Sequence, residues 1–294
     1  MGFCFRPSTS PPTGPVSFVR HFSYKDIKKA TDGFCRIIYV DCDGAAYRAT
    51  FRDVGVALVK EVKAFHLGND VFYQEVQLLG RLHHRHLLPL KGFSMGCKSL
   101  LVYENVENGS LRDYLNDPLK TPLNWRTRRQ IASEVAAALE YLLLFNDPPI
   151  YRVSISSSSV LLDENFGAKL SRVGVLGSSG HAEGPTYSSV SKDGSDTACN
   201  EVMFQLGILI LELITGQSSE HGGSNLIEWV QQNHTGSSMH NLLDPDLGND
   251  YNSHELKDLL NVARQCIKFR DKPTSTCVAR LLRYLQKKNN TPVS

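Results

Sequence analysis

Apolar and polar residues alternate in short runs between residues 37 and 62, and this period of two predicts antiparallel β-strands. A short helix is predicted just before them, within the segment 22–34. Ser23 and Asp26 give this helix a start similar to a capping box, and Gly33 gives it an end. The first part of the chain is therefore expected to be a sheet with one helix ahead of it.

Helical spacing of apolar residues replaces this alternation in the later parts of the chain. The segment 125–144 follows Asn124, and its apolar residues recur every three or four positions, which predicts a long core helix. Two further apolar stripes predict helices near the C-terminus. The residues of the three stripes are, in chain order, Ile131, Val135, Leu139 and Leu142, then Leu256, Leu259, Leu260, Ala263 and Ile267, then Val278, Leu281, Leu282 and Leu285.

Composition and charge narrow the class of protein. The 294 residues suit one large domain or two lobes, and 41% apolar with 21% charged residues is an ordinary globular composition. A net charge of +2 gives no case for nucleic acid as a partner. The seven cysteines lack C-x-x-C spacing, which favours reduced thiols in the cytosol over disulfides or zinc. The most apolar run, 202–214, is short and interrupted by Gln205 and Glu212, so no membrane span is predicted.

The first 19 residues are rich in Pro, Ser and Thr and lack the residues that build a core. They begin Met-Gly-Phe-Cys, which is similar to the start of acylated proteins, with Gly2 as a myristoylation site and Cys4 as a palmitoylation site. Arg6 departs from the myristoylation pattern, which has Ser or Thr there. Two interpretations stay open, a disordered leader and a doubly acylated anchor. The anchor needs both sites, because one acyl chain holds a protein to a membrane only marginally.

The stretch from 148 to 176 carries the strongest functional signal. Its segment 160–171, Val-Leu-Leu-Asp-Glu-Asn-Phe-Gly-Ala-Lys-Leu-Ser, resembles the part of a protein kinase between the catalytic loop and the metal-binding turn. Kinases carry H-R-D and then Asn before this part, and D-F-G after it. In that register Arg152-Val153-Ser154 stands at H-R-D, Ser159 at the Asn and Arg172-Val173-Gly174 at D-F-G. The intervals of five and thirteen residues between Ser154, Ser159 and Arg172 are those of the family.

The resemblance implies a kinase scaffold without its catalytic groups. Ser154 replaces the base, Ser156 replaces the catalytic-loop lysine, and Ser159 and Arg172 replace the two metal ligands. Asp163 is disfavoured as a substitute base, because the family carries this Asp as a structural residue beside an intact catalytic Asp. Binding of phosphate by the Arg172 guanidinium without a metal stays open.

Matches to the family continue towards the N-terminus. The segment 22–34 resembles the F-S-Y-x-E-I-x-x-A-T-x-x-F entry of plant receptor-like kinases, in the group that also contains Pelle and the interleukin-receptor-associated kinases. Lys60, in Ala-Leu-Val-Lys, and Glu75 match the strand lysine and helix-C glutamate that pair in kinases. A salt bridge that only stabilises the lobe is an equal interpretation of this pair. Tyr103 matches the gatekeeper, and Glu104 to Val106 match the hinge.

The glycine-rich loop that closes over ATP in the family is degraded. Tyr39, Asp41 and Gly44 stand at its three glycines, so Gly44 alone remains. Glycine lets the backbone approach phosphate closely, and the Asp41 carboxylate would repel the polyanion.

The activation segment and its anchors have changed as well. Gly184-Pro185-Thr186 stands at A-P-E, and Lys272 stands at the arginine that pairs with that glutamate in the family. Val202 stands at the helix-F Asp, which in kinases bonds the backbone of the catalytic loop.

Together these patterns predict an α+β, bilobal protein-kinase-like fold with a small β-rich N-lobe carrying helix C and a larger helical C-lobe. The predicted boundaries are a flexible tail at 1–21, the N-lobe at 22–106, the C-lobe at 107–287 and a C-terminal tail at 288–294.

The predicted function is that of a plant pseudokinase, a scaffold or allosteric partner of active receptor-like kinases in the cytoplasm or at the inner face of the plasma membrane. Lys60, Glu75, Glu104 and Val106 would form a vestigial nucleotide pocket. No cofactor is expected beyond weak ATP binding, and no metal is expected at the histidines of 83–86, which lack a carboxylate or thiol at ligand spacing. Three alternatives stay open: a weakly active or unconventional ATP-dependent serine/threonine kinase, another nucleotide-dependent transferase, and a gene copy without function.

Overall fold

The computed structural model describes residues 19–41, 44–62, 69–174, 192–217, 243–248, 250–270 and 278–289. These residues form two compact units. The small unit comprises the described residues of 1–83 and 88–105, and the large unit comprises 84–87 and the described residues from 106 onward. The small unit is built on a sheet and the large unit on helices, which confirms the predicted kinase-like α+β fold.

A six-stranded sheet forms the body of the small unit. Its spatial order is β1-β5-β6-β4-β3-β2; β1 and β5 are parallel and the other neighbours are antiparallel. Strands β2 to β4 confirm the alternation predicted for residues 37–62. The strands are β1 Arg20–His21, β2 Ile37–Asp41, β3 Gly44–Phe51, β4 Gly55–Val62, β5 Leu90–Ser94 and β6 Ser99–Glu104.

Two helices complete the small unit, α1 at Tyr24–Ala30 and α2 at Asn69–Arg81. The Ser23 hydroxyl accepts a hydrogen bond from the N–H of Asp26 at 3.1 Å, as the capping pattern predicts. Ile27 is fully buried in a cluster with one face of β3, β4 and β6, so α1 covers that face of the sheet.

Helices dominate the large unit, with α4 and α5 at its centre. Helix α4 packs against α5 and α7, and α5 packs against α6. All three apolar stripes predicted from the sequence are buried. The elements are α3 Leu111–Asn116, α4 Trp125–Leu144, β7 Val160–Leu162, β8 Ala168–Leu170, α5 Lys192–Thr215, a 3-10 turn at Pro245–Leu247, α6 Ser253–Lys268 and α7 Val278–Asn289.

The core of the large unit contains an ion pair that the sequence analysis did not predict. The guanidinium of Arg128 donates to Asp244 Oδ2 at 2.6 Å and to the carbonyl oxygens of Leu213 and Leu123 at 3.0 and 2.8 Å. Arg128 is only 1% exposed, so the carboxylate and the two carbonyls compensate a buried charge. The N–H of Asp244 donates to the carbonyl of Ile214 at 3.1 Å and thereby ties the 3-10 turn to the end of α5.

The central helix α5 includes a stretch, Asp196–Thr215, that by length and composition alone could span a membrane. Leu206, Leu209 and Ile210 in this stretch are fully buried inside the large unit. Such burial is typical of the core helix of a folded domain, and we describe α5 as that helix.

Candidate functional site

Ser154 and Arg172, at the positions of the kinase base and of one metal ligand, lie side by side in the large unit. An antiparallel bridge joins Val153 to Val173. The N–H of Ser154 donates to the carbonyl of Arg172 at 3.0 Å, and the N–H of Gly174 donates to the carbonyl of residue 152 at 2.7 Å. Because both valines are buried, pleating places Ser154 and Arg172 on the opposite side of the bridge.

A turn of four serines, 156–159, continues the loop and is closed by its own side chains. The Ser159 hydroxyl accepts from the N–H of Ser156 at 2.8 Å and donates to the carbonyl of Ser156 at 3.0 Å. The Ser156 hydroxyl lies 2.9 Å from that of Ser158. Ser171 holds the turn from the other side, since its N–H and its hydroxyl both donate to the carbonyl of Ser159. Ser159 is fully buried, so the residue at the second metal-ligand position serves the turn itself.

Helix α5 supports this loop through two polar side chains. The side-chain carbonyl of Gln205 accepts from the N–H of Ile155 at 2.8 Å. The carboxylate of Glu212 accepts from the N–H of Ser157 at 3.2 Å. Val202, at the position of the family's loop-bonding Asp, is 2% exposed in the core. Sequence reasoning missed these roles, although it did single out Gln205 and Glu212 as polar interruptions of an apolar run.

Asp163 stabilises the turn between β7 and β8. Its Oδ1 accepts from the N–H groups of Asn165 at 3.0 Å and Gly167 at 2.8 Å, and its Oδ2 lies 4.0 Å from Lys169 Nζ. A Cβ on Gly167 would come within 2.7 Å of this carboxylate, which explains the glycine there. These contacts assign Asp163 to the hairpin, in line with its interpretation as a structural residue.

The histidines after α2 also have structural contacts. The His86 ring nitrogen Nδ1 lies 3.2 Å from the carbonyl of Ala168 and 3.8 Å from the Glu134 carboxylate. The His84 ring stacks on Tyr141 with centroids 5.1 Å apart. Burial lowers the pKa of His84 and His86 and raises the pKa of Glu134. Within the described ranges, no group of three or more His, Cys, Asp or Glu could hold a metal.

In the small unit, Tyr39, Ala46, Lys60 and Leu101 form one row across four strands. Residues paired on neighbouring strands share a face of the sheet, so Tyr39 stands on the same face as Lys60. Lys60 is 8% exposed, and Ala46 and Leu101 are buried as well. An aromatic residue therefore stands where the family has its first loop glycine, on the face that carries the strand lysine.

Glu75 of α2 and Tyr103 of β6 are also buried in the small unit. Burial, and then the nearby Glu75 carboxylate and Tyr39 hydroxyl, raise the pKa of Tyr103. Leu58 pairs across the strands with Tyr103 and adds a branched side chain where V-A-I-K has Ala. The structure thus buries Lys60 and Glu75 in one unit, and their direct ion pair stays a prediction.

The predicted hinge positions have mainly backbone and surface contacts. Glu104 is exposed, its carboxylate lies 3.5 Å from Lys91 Nζ, and its N–H donates to the carbonyl of Pro89 at 3.1 Å. Val106 is half-buried and belongs to the large unit. No further polar role is visible for these two side chains among the described residues.

The three glycine-loop positions lie on β2 and β3. Asp41 ends β2, and Gly44 begins β3 with a φ of 146°. A Cβ at Gly44 would clash with the carbonyl oxygen of Glu61, so strand packing alone requires this glycine. The predicted acylation sites Gly2 and Cys4, the segment 184–186 and Lys272 lie outside the described residues.

These features define a protein-kinase-like domain with serine and arginine at its catalytic positions. Residues 41–195 match the model of the protein tyrosine and serine/threonine kinase family, and the chain belongs to that family. Within it, the chain is similar to plant receptor-like kinases. It is 38% identical over 288 residues to the probable receptor-like protein kinase At1g49730 of Arabidopsis thaliana, a match that covers 90% of this chain and 43% of the relative. The chain thus spans less than half the length of that curated relative.

Solved structures show the same fold in pseudokinases. The pseudokinase domain of BIR2, an immune regulator of the RLK/Pelle family, is 26% identical with a TM-score of 0.73, covering 92% of this chain and 86% of that one. The pseudokinase DRIK1 is 20% identical with a TM-score of 0.69, covering 93% and 99%, which shows the fold alone. The resemblance to plant receptor-like kinases of the Pelle group, in degenerate form, is confirmed.

Proposed function

We propose that this chain is a pseudokinase that transfers no phosphate itself and acts as a scaffold or allosteric partner of active receptor-like kinases. The observation that carries the proposal is the juxtaposition of Ser154 and Arg172, which puts a neutral hydroxyl and a cation where phosphoryl transfer needs two carboxylates. The pseudokinase structures of the same fold support it.

Arg172 opposes catalysis more strongly than a neutral residue would. It removes a metal ligand and adds a positive charge in its place. Two unit charges 4 Å apart interact by about 4 kcal/mol at an effective dielectric of 20, so the repulsion of Mg²⁺ is about twice that. The loss of the base at Ser154 removes a further factor of about 10²–10⁴ in rate. Against a kinase turnover of about 1–100 s⁻¹, little measurable activity should remain.

Nucleotide binding is opposed separately in the small unit. Tyr39 adds bulk where the family has Gly, and it stands on the sheet face that carries Lys60. Leu58 adds bulk where the family has Ala, and it pairs with Tyr103 on the neighbouring strand. In this proposal ATP binds weakly or not at all, and no cofactor is needed.

One observation favours the alternative of a weakly active, unconventional kinase. Lys60 and Glu75 are both retained and both buried, as they would be in an active small lobe. We rank this candidate second, because an intact lysine does not replace the base or the metal ligands.

The partner and the cellular place are parts of the same proposal. Similarity to receptor-like kinases supports a cytoplasmic role beside such receptors. Acylation of Gly2 and Cys4 would hold the chain at the inner face of the plasma membrane, since two acyl chains give stable anchoring.

The test combines a transfer assay with a reconstitution. In the transfer assay, the purified full chain is expected to transfer no ³²P from ATP with magnesium or manganese. In the reconstitution, the chain is added to an active plant receptor-like kinase domain, and it should change the autophosphorylation rate of that domain in a saturable way. Transfer by the chain alone that disappears in Lys60→Ala would establish the second candidate instead. An unchanged partner rate together with no complex in sedimentation would contradict the scaffold role.

A further inference from the structure

The outer face of helix α1 carries three lysines. Lys25, Lys28 and Lys29 are all exposed, whereas Ile27 and Ala30 are buried against the sheet. Because successive residues of a helix are about 100° apart, the three lysines fall within one sector about 100° wide, opposite the two buried residues. Since α1 covers one face of the sheet, this lysine face is turned away from the sheet and towards solvent.

The carboxylates nearest in sequence do not neutralise the lysine face. Asp26 accepts a hydrogen bond from the Ser23 hydroxyl at 2.7 Å, and the Asp32 carboxylate lies 4.0 Å from Arg36 Nε. Within the part of the chain that the structure describes, none of the three lysines forms an ion pair. The lysine face therefore presents three positive charges to the solvent.

Positive charge is concentrated at this end of the chain. Residues 1–30 contain five basic residues and one acidic residue, a net charge of +4, whereas the whole chain has a net charge of +2. The remaining 264 residues therefore carry a net charge of −2. Such an asymmetry, together with a helix that is basic on one face and apolar on the other, is typical of a segment that contacts an anionic surface.

We propose that the lysine face of α1 binds the surface of a bilayer that contains anionic phospholipids. A lysine side chain carries a compact charge on a flexible stem, which suits a diffuse negative surface better than a single forked ligand. Near such a surface each lysine strengthens binding about fivefold. A lipid surface is favoured over an acidic protein surface because the predicted acylation sites Gly2 and Cys4 belong to the same basic stretch of residues 1–30.

This lipid contact specifies the membrane location that forms part of the proposed function, and it does not depend on the absence of phosphoryl transfer. One acyl chain alone gives only marginal membrane binding, and a polybasic patch is one of the second signals that make the binding stable. The lysine face supplies that second signal when only one of Gly2 and Cys4 is acylated.

The test is cosedimentation of the purified full chain with lipid vesicles. The chain is produced in bacteria without an N-myristoyltransferase, so that acylation does not contribute to the binding. One set of vesicles is phosphatidylcholine alone, and the other is phosphatidylcholine with about 30% phosphatidylserine, which gives a negative surface potential. Each set is measured at about 0.1 M and about 0.5 M salt, because salt screens the attraction.

Two triple variants remove the same charge from different places. The lysine-face variant is Lys25→Gln, Lys28→Gln, Lys29→Gln. The control variant removes three exposed lysines from α6 and α7 of the large unit, Lys257→Gln, Lys268→Gln, Lys287→Gln. Glutamine and lysine have similar helix propensities, and thermal melting verifies that both variants are folded. A third variant places arginine at the three α1 positions and keeps the charge.

We expect the unchanged chain to bind the anionic vesicles in a saturable way, to bind them less at the higher salt, and not to bind phosphatidylcholine alone. The lysine-face variant should bind about 100-fold more weakly, because three charges are lost. The control and arginine variants should bind like the unchanged chain. The proposal is overturned if the unchanged chain does not bind the anionic vesicles, or if the lysine-face variant binds no more weakly than the control variant.

The remaining outcomes separate this contact from other roles. If the lysine-face variant loses only its complex with an active receptor-like kinase domain, the face contacts an acidic protein surface and the lipid contact is rejected. Transfer of ³²P by a chain that binds the vesicles would reject the inactive assignment and keep the lipid contact. An inactive chain that does not bind the vesicles would reject the lipid contact alone.

Discussion

The side-chain carbonyl of Gln205 lies 2.8 Å from the backbone nitrogen of Ile155 and accepts its hydrogen. Kinases anchor this loop with an Asp at the position of Val202, three residues earlier on the same helix. Residues three apart lie on neighbouring turns of one helix face, so the polar anchor has moved by about one turn instead of being lost. The loop is therefore still held in place although its chemistry has changed.

Replacing Gln205 tests this anchor. Gln205→Ala leaves the N–H of Ile155 without its acceptor in a partly buried place, which should lower the free energy of unfolding by about 1–3 kcal/mol. Gln205→Glu keeps an acceptor for this N–H and should lower the free energy of unfolding less than Gln205→Ala does. Denaturant unfolding measures the difference, with Gln74→Ala at an exposed position of α2 as the control. Equal effects of the two alanine variants would show that the bond contributes nothing.

Removing the bulk in the small unit should favour nucleotide binding. The double variant Tyr39→Gly, Leu58→Ala restores family residues at both positions, and ATP with EDTA should then raise its melting temperature more than that of the unchanged chain, because a ligand stabilises by its occupancy. Ile38→Gly, which removes an exposed side chain from the same strand, is the control. A clear shift of the unchanged chain that requires magnesium would contradict the argument about Arg172.

Restoring the catalytic residues alone should not restore a kinase. The triple variant Ser154→Asp, Ser159→Asn, Arg172→Asp restores the base and both metal ligands. It leaves Tyr39 and Leu58 of the small unit unchanged. We expect ³²P transfer to remain well below the turnover of about 1–100 s⁻¹ of typical kinases. Transfer within that range would show that the three loop positions are the whole cause of inactivity.

The pH dependence of stability should carry a contribution from His84. Burial, then the positive charges of His86, Arg85 and Lys169, lower the pKa of His84 in the folded chain. The unfolded value is about 6.5, so stability is retained above it and lost as the pH falls from about 6.5 through the lower folded pKa.

His84→Phe keeps a ring for stacking on Tyr141 and does not titrate. The unchanged chain should lose unfolding free energy more steeply than this variant below a pH of about 6.5. Denaturant unfolding at a series of pH values measures both slopes. If the unfolding free energies of the two proteins fall with equal slopes, His84 contributes nothing to the acid sensitivity of the fold.

Local patterns predicted the elements well, because caps and apolar spacing act within a few residues. Asn124 and the stripe after it place helix α4 at Trp125–Leu144, and Ser23 places the start of α1. The pairing of Arg128 with Asp244 could not be predicted in this way, since the two positions lie 116 apart in the sequence and local patterns do not encode contacts over such a distance.

For the candidate site, the sequence showed which residue types are missing but not what replaces their contacts. The closure of the serine turn by Ser159 depends on rotamers that spacing does not encode. Gln205 had a visible signal, a polar residue in an apolar run. Only the fold shows that this side chain faces the loop at Ile155.

The bridge of Val153 and Val173 fixes the length of the chain at this point, because both valines are buried and successive residues of an extended strand face opposite sides. One residue added on either side of the bridge would shift its register and turn a buried valine outward. This loop is therefore expected to accept exchanges of its exposed side chains much more readily than insertions or deletions.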